Sequence, residues 1–300
     1  MEDLISIIIP TYNHGIYLDR CLNSIQQQTI DNYEVIIIDN NSTDNTKDII
    51  KKYINLPIKY YLINNKGSYG KSRNMGIKNS SGNIIAFLDS DDWWKKEKLY
   101  ECYKKINEGY DLIYHNLKLV GKKFKFKTNI IRGRKLKYPK FKDLIINGNK
   151  IWNSSVVVKK EILKKVKFIS EKNEMKAAED YNTWIKVCRE SDKICFLDKT
   201  LGFYRFHERG GSRKNMSFCS LEAIREFKKN LTSGEYKKAR SRIIYMNAKF
   251  FYEKKIYHFC NKKFKISFLN GSFLIKLKSL LYLILLSVKK WNLLMIKFQD

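Results

Sequence analysis

Three carboxylates fall within four residues at Asp89-Ser90-Asp91-Asp92, where the apolar run IIAFL ends. Acids this close repel one another unless a cation neutralises them, and hard oxygen donors suit Mg2+ or Mn2+. An ion held by only one or two of them keeps positions that a diphosphate can fill, which points to a nucleotide-type substrate. The competing reading is that Asp91 or Asp92 caps the helix that follows, and both uses can coexist. A second acid pair, Glu179 and Asp180, opens the segment EDYNTWIKVCRE. It either caps a helix or offers a carboxylate able to take a proton from a hydroxyl. No G-x-x-x-x-G-K-S/T loop occurs and no G-x-G-x-x-G follows the first strand, so neither a P-loop nor a dinucleotide fold is supported. Phosphates must then be handled by metal in place of a glycine-rich nest.

These acids need elements that hold them. SIIIP is a β-branched run stopped by proline, and IYLDRCLNSIQQQT then carries apolar residues at helical spacing. EVIIID, a polar loop and the helix through DIIKKYI repeat the arrangement, and KYYLINN with GKSRNMGIKNSSG repeats it again. NIIAFLDSDD is a fourth strand, with a helix expected over WWKKEKLYECYKKI. Four alternating units predict a mostly parallel sheet flanked by helices, an α/β fold. In such sheets ligands bind beyond the carboxyl ends of the strands. Here those ends carry Thr11 to Asn13, Asp39 to Asn41, Asn64 to Gly70 and Asp89 to Asp92. From about residue 116 the pattern loosens into short basic segments, then a helix over EDYNTWIKVCRE, a strand near ICFLDKTLGFYRF and mostly helix from 217. The expected division is 1–115, 116–215 and 216–300.

The 300 residues carry a net charge of +29, and the first hundred are neutral. The excess, +13 over residues 101–200 and +16 over 201–300, points to an anionic partner of the later segments. Hydrophobic content of 44% excludes a disordered basic tail. Six scattered cysteines form no C-x-x-C pair and no zinc spacing, and read as reduced thiols. MEDLISIIIPTYN has acids where a signal peptide needs a basic region, so the chain is expected in the cytosol. Near the C-terminus, SLLYLILLSV lies between Lys278 and the pair Lys289-Lys290. It is short of the roughly 20 residues of a spanning helix. It reads as a basic amphipathic helix in a membrane interface or as a core helix with lysines on its wet face.

Taken together, SIIIPTYNHGIYLDRCLNSIQQQT, VIIIDNNSTDNT and NNKGSYGKSRNMGIKNSSGNIIAFLDSDDWW resemble the family 2 glycosyltransferases of the GT-A fold, in register over roughly residues 4 to 100. The resemblance extends more loosely through IWNSSVVVKKEIL, AAEDYNTWIKV and LGFYRFHERGGS. It implies that Pro10, Thr11 and Tyr12 pack around a uridine, that Asp39 meets the uracil and that Arg73 lies near base and phosphates. Asp89 and Asp91 match the D-x-D pair, with Asp91 a direct metal ligand and Asp89 facing the ribose or metal waters. Glu179 and Asp180 match the catalytic-base position, Asp180 as base and Glu179 contacting sugar hydroxyls. His207 matches a further metal ligand. Arg205 and Arg213 would stabilise the departing diphosphate. His14, His115 and His258 have no partner in the sequence and read as ordinary polar residues, while Trp93, Trp94 and Trp152 are structural or stack on sugars. One departure concerns the usual D-D-G-S-T-D, which here is Asp39-Asn40-Asn41-Ser42-Thr43-Asp44; Asn tolerates the left-handed backbone, so the loop can survive.

The resemblance therefore implies an inverting, Mn2+- or Mg2+-dependent transfer of a hexose, glucose first, then galactose or N-acetylhexosamine, from a UDP-sugar. The acceptor would be a lipid-linked, undecaprenyl-diphosphate glycan of bacterial surface polysaccharide such as O-antigen or capsule. Residues 1–115 would bind the nucleotide sugar and 116–215 the acceptor. The basic helical region 216–300 would hold the protein on the cytoplasmic face of the inner membrane, since anionic lipid attracts Lys and Arg by about 1 kcal/mol each. Two other classes compete with this reading. A nucleic-acid-binding protein fits the charge, but no such motif is present and the neutral segment holds the site, so no nucleic-acid partner is expected. A sugar-phosphate nucleotidyltransferase lacks its glycine-rich first loop.

Overall fold

The computed structural model describes residues 3–121, 129–207 and 215–297, the last nine as backbone only. In chain order the elements are β1 (Ile5–Thr11), α1 (Gly15–Gln26), β2 (Tyr33–Asp39), α2 (Thr46–Lys51), β3 (Ile58–Leu62), α3 (Tyr69–Lys78), β4 (Ile84–Phe87) and β5 (Trp93–Trp94). Then follow α4 (Lys98–Asn107), β6 (Leu112–Val120), β7 (Ile130–Ile131), α5 (Lys140–Asn147), β8 (Val157–Lys159), α6 (Lys160–Lys165), α7 (Glu179–Glu190) and β9 (Ile194–Arg205). Four helices close the chain: α8 (Ser217–Arg225), α9 (Ser233–Glu253), α10 (Cys260–Asn270) and α11 (Phe273–Lys297).

One sheet has the order β3-β2-β1-β4-β8-β6-β9-β5, with β7 paired to β6. The strands β3, β2, β1 and β4 are all parallel, as their β-branched runs and intervening helices predict. Beyond β4 the sheet is mixed: β8 runs antiparallel to both β4 and β6, and β9 returns parallel to β6. Strands from both sides of residue 115 thus share one sheet. Ile5, Ile7 and Ile9 of β1 pack with Val35 and Ile37 of β2 and with Leu18, Leu22 and Ile25 of α1. Pro10 faces the β4 side past the last β1–β4 pair, Ile8 with Phe87, so its missing N–H breaks no ladder bond. On the other face α3 lies close against β1 at Gly76, where a Cβ would sit 2.6 Å from Ile8 Cγ2.

The helix expected from Trp93 starts only at Lys98. Trp93 and Trp94 instead pair with Phe203 and Gly202 of β9. Aromatic side chains suit this pleated setting, and the Trp94 indole N–H donates to the Ser154 carbonyl at 2.7 Å.

By internal packing the chain divides into two compact units, Met1–Phe141 with Asn149–Gly210, and Lys142–Gly148 with Gly211–Asp300. The second contains α8 to α11. Its helix α9 opens on a capping box between Thr232 and Glu235, and its core gathers Tyr245, Ala248, Cys260, Phe264 and Ile275. Phe264 stacks on Tyr282 of α11 with centroids 4.8 Å apart. The opposite side of α11 exposes Leu274, Leu277, Leu281, Ile284 and Val288. No helix among the described residues is long and apolar enough to cross a membrane, and no disulfide joins the cysteines.

Candidate active site

The acids after β4 take separate roles. Asp92 is buried and caps nothing, because α4 begins beyond it. Its carboxylate accepts from Ser154 Oγ at 2.5 Å and from the Arg205 N–H at 2.9 Å, which ties the acid loop to the end of β9. Burial, together with Asp91 and Asp89 beside it, pushes this carboxyl well above the usual range. Asp89 accepts from Arg73 Nη2 at 2.8 Å and from Asn153 Nδ2 at 3.1 Å. Asp91 points the other way, with Oδ2 2.8 Å from His207 Nε2.

His14 joins that pair. One ligand atom each of His14, Asp91 and His207 lies within 4.8 Å of the others. His14 Nδ1 is 2.8 Å from Ser90 Oγ, and the buried Nδ1 of His207 has no hydrogen-bond partner among the described residues. Burial lowers the pKa of His14 despite the acids around it, and a neutral imidazole is the form that binds metal. Two imidazoles and a carboxylate that converge in this way fit a divalent cation.

Arg73, on α3, is the link to the second acid pair. Its Nη1 donates to Glu179 Oε1 at 3.1 Å while Nη2 holds Asp89. Its guanidinium also lies 5.7 Å from the Tyr69 ring centroid. Glu179 and Asp180 form the first turn of α7, favoured there by the helix dipole. Glu179 is buried, its Oε2 has no partner among the described residues, and desolvation raises its pKa against the pull of Arg73. Asp180 is half-buried and accepts from the Tyr181 N–H at 2.6 Å. Desolvation and the adjacent Glu179 raise its carboxyl to about 7, the range in which a carboxylate works as a base at neutral pH.

At the first two strand ends, Thr11 pairs with Asp39 in register. Pro10 is buried, Thr11 Oγ1 is buried without a partner and Tyr12 is 54% exposed. Asp39 Oδ1 accepts the N–H and O–H of Ser42, and Oδ2 accepts from Tyr60 at 2.7 Å. These three donors shape the loop and leave spare lone pairs for a ligand. Asn41, where the family pattern has glycine, adopts φ 56°, so the loop keeps its left-handed turn with Asn in place. The guanidinium of Arg205 lies 5.0 Å from the Tyr17 centroid and 5.2 Å from that of Trp93. Arg213 lies outside the described residues.

The structure thus brings Asp89, Arg73 and Glu179 into one chain of contacts, with Asp180 next to Glu179 at the start of α7, and Asp91 with His207 into another. Reading the sequence missed His14, Asn153 and Ser154. His14 follows the first strand end in TYNH, a position that could have flagged it; nothing in the sequence marks Asn153 or Ser154 as supports of the acid loop.

Residues 6–167, more than half of the chain, match the sequence profile of the family described as Glycosyl transferase family 2. The chain belongs to that family. Among family 2 relatives, it is 30% identical over 233 residues to the poly(ribitol-phosphate) beta-N-acetylglucosaminyltransferase TarS of Staphylococcus aureus (strain Mu50 / ATCC 700699), an alignment covering 74% of this chain and 38% of TarS. It therefore spans well under half of that relative. The crystal structure of S. aureus TarS 1-349 in complex with UDP-GlcNAc superposes with TM-score 0.62 at 22% identity, over 88% of this chain and 81% of that one. The mannosyltransferase PcManGT from Pyrobaculum calidifontis in complex with GDP-Man and Mn2+ gives TM-score 0.60 at 14% identity, over 95% and 81%. These structures share the GT-A fold with this family 2 chain.

Proposed function

We propose that the protein is an inverting, metal-dependent glycosyltransferase that moves a hexose from a UDP-sugar to a hydroxyl of a lipid-linked glycan in bacterial surface polysaccharide assembly. The observation that carries this reading is the bridge from Asp89 through Arg73 to Glu179, which joins the acid loop after β4 to the acid pair opening α7. Asp180 takes the proton of the acceptor hydroxyl as that oxygen bonds to the anomeric carbon. The bond from that carbon to the diphosphate oxygen breaks in the same step, and the configuration inverts. Glu179 Oε2, buried and unpartnered, accepts from a sugar hydroxyl. Arg205 and Arg213 stabilise the charge that builds on departing UDP. Asp39 and the Pro10–Tyr12 strand end bound the uridine, and Asp89 faces the ribose. Asp91 and His207 would hold a Mn2+ or Mg2+, which would supply positive charge for the diphosphate.

Glucose is the first donor on the resemblance. The name of TarS and its UDP-GlcNAc complex favour N-acetylglucosamine as the second. Membrane association is supported by the exposed apolar side of α11 and its exposed Lys276 and Lys278, a pairing suited to an anionic bilayer surface. The decisive experiment screens UDP-glucose, UDP-galactose and UDP-N-acetylhexosamines for hydrolysis and transfer with Mn2+, with Mg2+ and with EDTA. Metal-dependent turnover of one of them is the expected result; turnover of none would refute the reading.

A further inference from the structure

The donor set around Asp91 is unlike a bare acid pair. His14, from the loop between β1 and α1, stands with Asp91 and His207 so that one ligand atom of each lies within 4.8 Å of the others. Its Nδ1 is engaged at 2.8 Å with Ser90, an outer partner of the kind that orients a metal-bound imidazole and leaves the other ring nitrogen to the ion. On the other side the buried Nδ1 of His207 has no partner among the described residues and its ring lies 5.8 Å, centroid to centroid, from that of His14. Tyr17 packs against both rings.

We infer that His14 is a third protein ligand of the cation that Asp91 and His207 hold, and that the resulting set of two imidazoles and one carboxylate selects transition-metal ions over Mg2+. The inference rests on the metal-dependent reading given above. Imidazole nitrogen binds ions such as Co2+ and Zn2+ far better than it binds Mg2+, which prefers oxygen and gives up water reluctantly. Affinity should therefore rise from Mg2+ to Mn2+ to Co2+, along the order that nitrogen ligands impose. Three protein ligands on one side leave the remaining positions for diphosphate oxygens and water.

The test uses the full chain. Pulsed EPR of the Mn2+-loaded protein counts directly bound imidazole nitrogens, and calorimetry with Co2+ and Mg2+ alone measures affinity. Wild type should show two nitrogens and His14→Ala one. Co2+ binding should weaken at least tenfold in the variant, while Mg2+ binding changes less than threefold. If His14→Ala does not fold, Ser90→Ala, which frees the ring to turn, should still weaken Co2+ more than Mg2+. An unchanged nitrogen count in His14→Ala, equal Co2+ affinity in wild type and variant, or no preference of wild type for Co2+ over Mg2+ would overturn the inference. Two bound nitrogens without turnover of any UDP-sugar would support this site and sink the UDP-sugar reading instead.

Discussion

Replacing Asp180 by Asn separates activity from stability in a way the structure quantifies. The wild-type carboxyl titrates at about 7 where 3.8 is ordinary. At 1.36 kcal/mol per pH unit, its ionised form costs the fold at most about 4 kcal/mol, and partial exposure reduces this. Between those two pH values the folded chain binds more proton at Asp180 than the unfolded chain does. The site therefore lowers stability progressively as pH rises from about 4 to about 7, and the whole cost is present above 7. Asn accepts the Tyr181 N–H equally well and carries no charge. Asp180→Asn should thus be indistinguishable from wild type in urea melts near pH 4 and more stable by about 1 to 4 kcal/mol at pH 8. Transfer should fall by about 100- to 10,000-fold, the usual worth of a general base, and the wild-type rise of kcat/KM with pH through about 7 should vanish. A variant that keeps a tenth of wild-type turnover, or one whose stability gain is the same at pH 4 and pH 8, would refute the reasoning.

Other expectations are of the same kind. Lys98 is fully buried, with Nζ 3.5 Å from the Trp94 ring centroid, no hydrogen-bond partner among the described residues and a pKa brought down by burial to about 7. The folded chain binds less proton there than the unfolded chain between about 7 and 10.5, so the cost is full below 7 and fades towards 10.5. Lys98→Met should raise the melting temperature more at pH 6 than at pH 10; equal gains would contradict this. Arg73→Lys cannot reach Asp89 and Glu179 together, and losing one charged hydrogen bond of about 1.5 to 3 kcal/mol should cut kcat/KM at least tenfold without lowering helix content by circular dichroism. Neutralising Lys276 and Lys278 to Gln removes about 2 kcal/mol of attraction to an anionic surface. Sedimentation with phosphatidylserine vesicles should weaken about thirtyfold, and unchanged binding would argue against the membrane role.

The parallel half of the fold was legible because β1, β2 and β4 are buried on both faces, so III and VIII runs between amphipathic helices admit few other folds. The mixed half was not. Val157–Lys159 is three residues long, and its place between β4 and β6 is set by pairing with distant segments. Trp93 and Trp94 sit at a helix-like spacing but are claimed by β9. In the site, residue type revealed the acids, since repelling carboxylates demand an explanation. It hid which acid does what: Asp92 is spent on Ser154 and Arg205, and only Asp91 is left to face His207. His14 reads as an ordinary polar residue in the sequence because a lone histidine looks the same whether or not a fold brings a carboxylate and a second imidazole to it.

The close approach of α3 to β1 carries an evolutionary consequence. With 2.6 Å between Ile8 Cγ2 and the place of a Cβ on residue 76, no side chain fits at 76 unless residue 8 shrinks or the helix withdraws. Withdrawal would carry Arg73, one turn back on the same helix, away from Asp89 and Glu179. Positions 8 and 76 are both buried in the packing of α3 on β1, and they should vary only as a pair among relatives, with alanine at 76 accompanied by alanine at 8, since valine would keep the Cγ2.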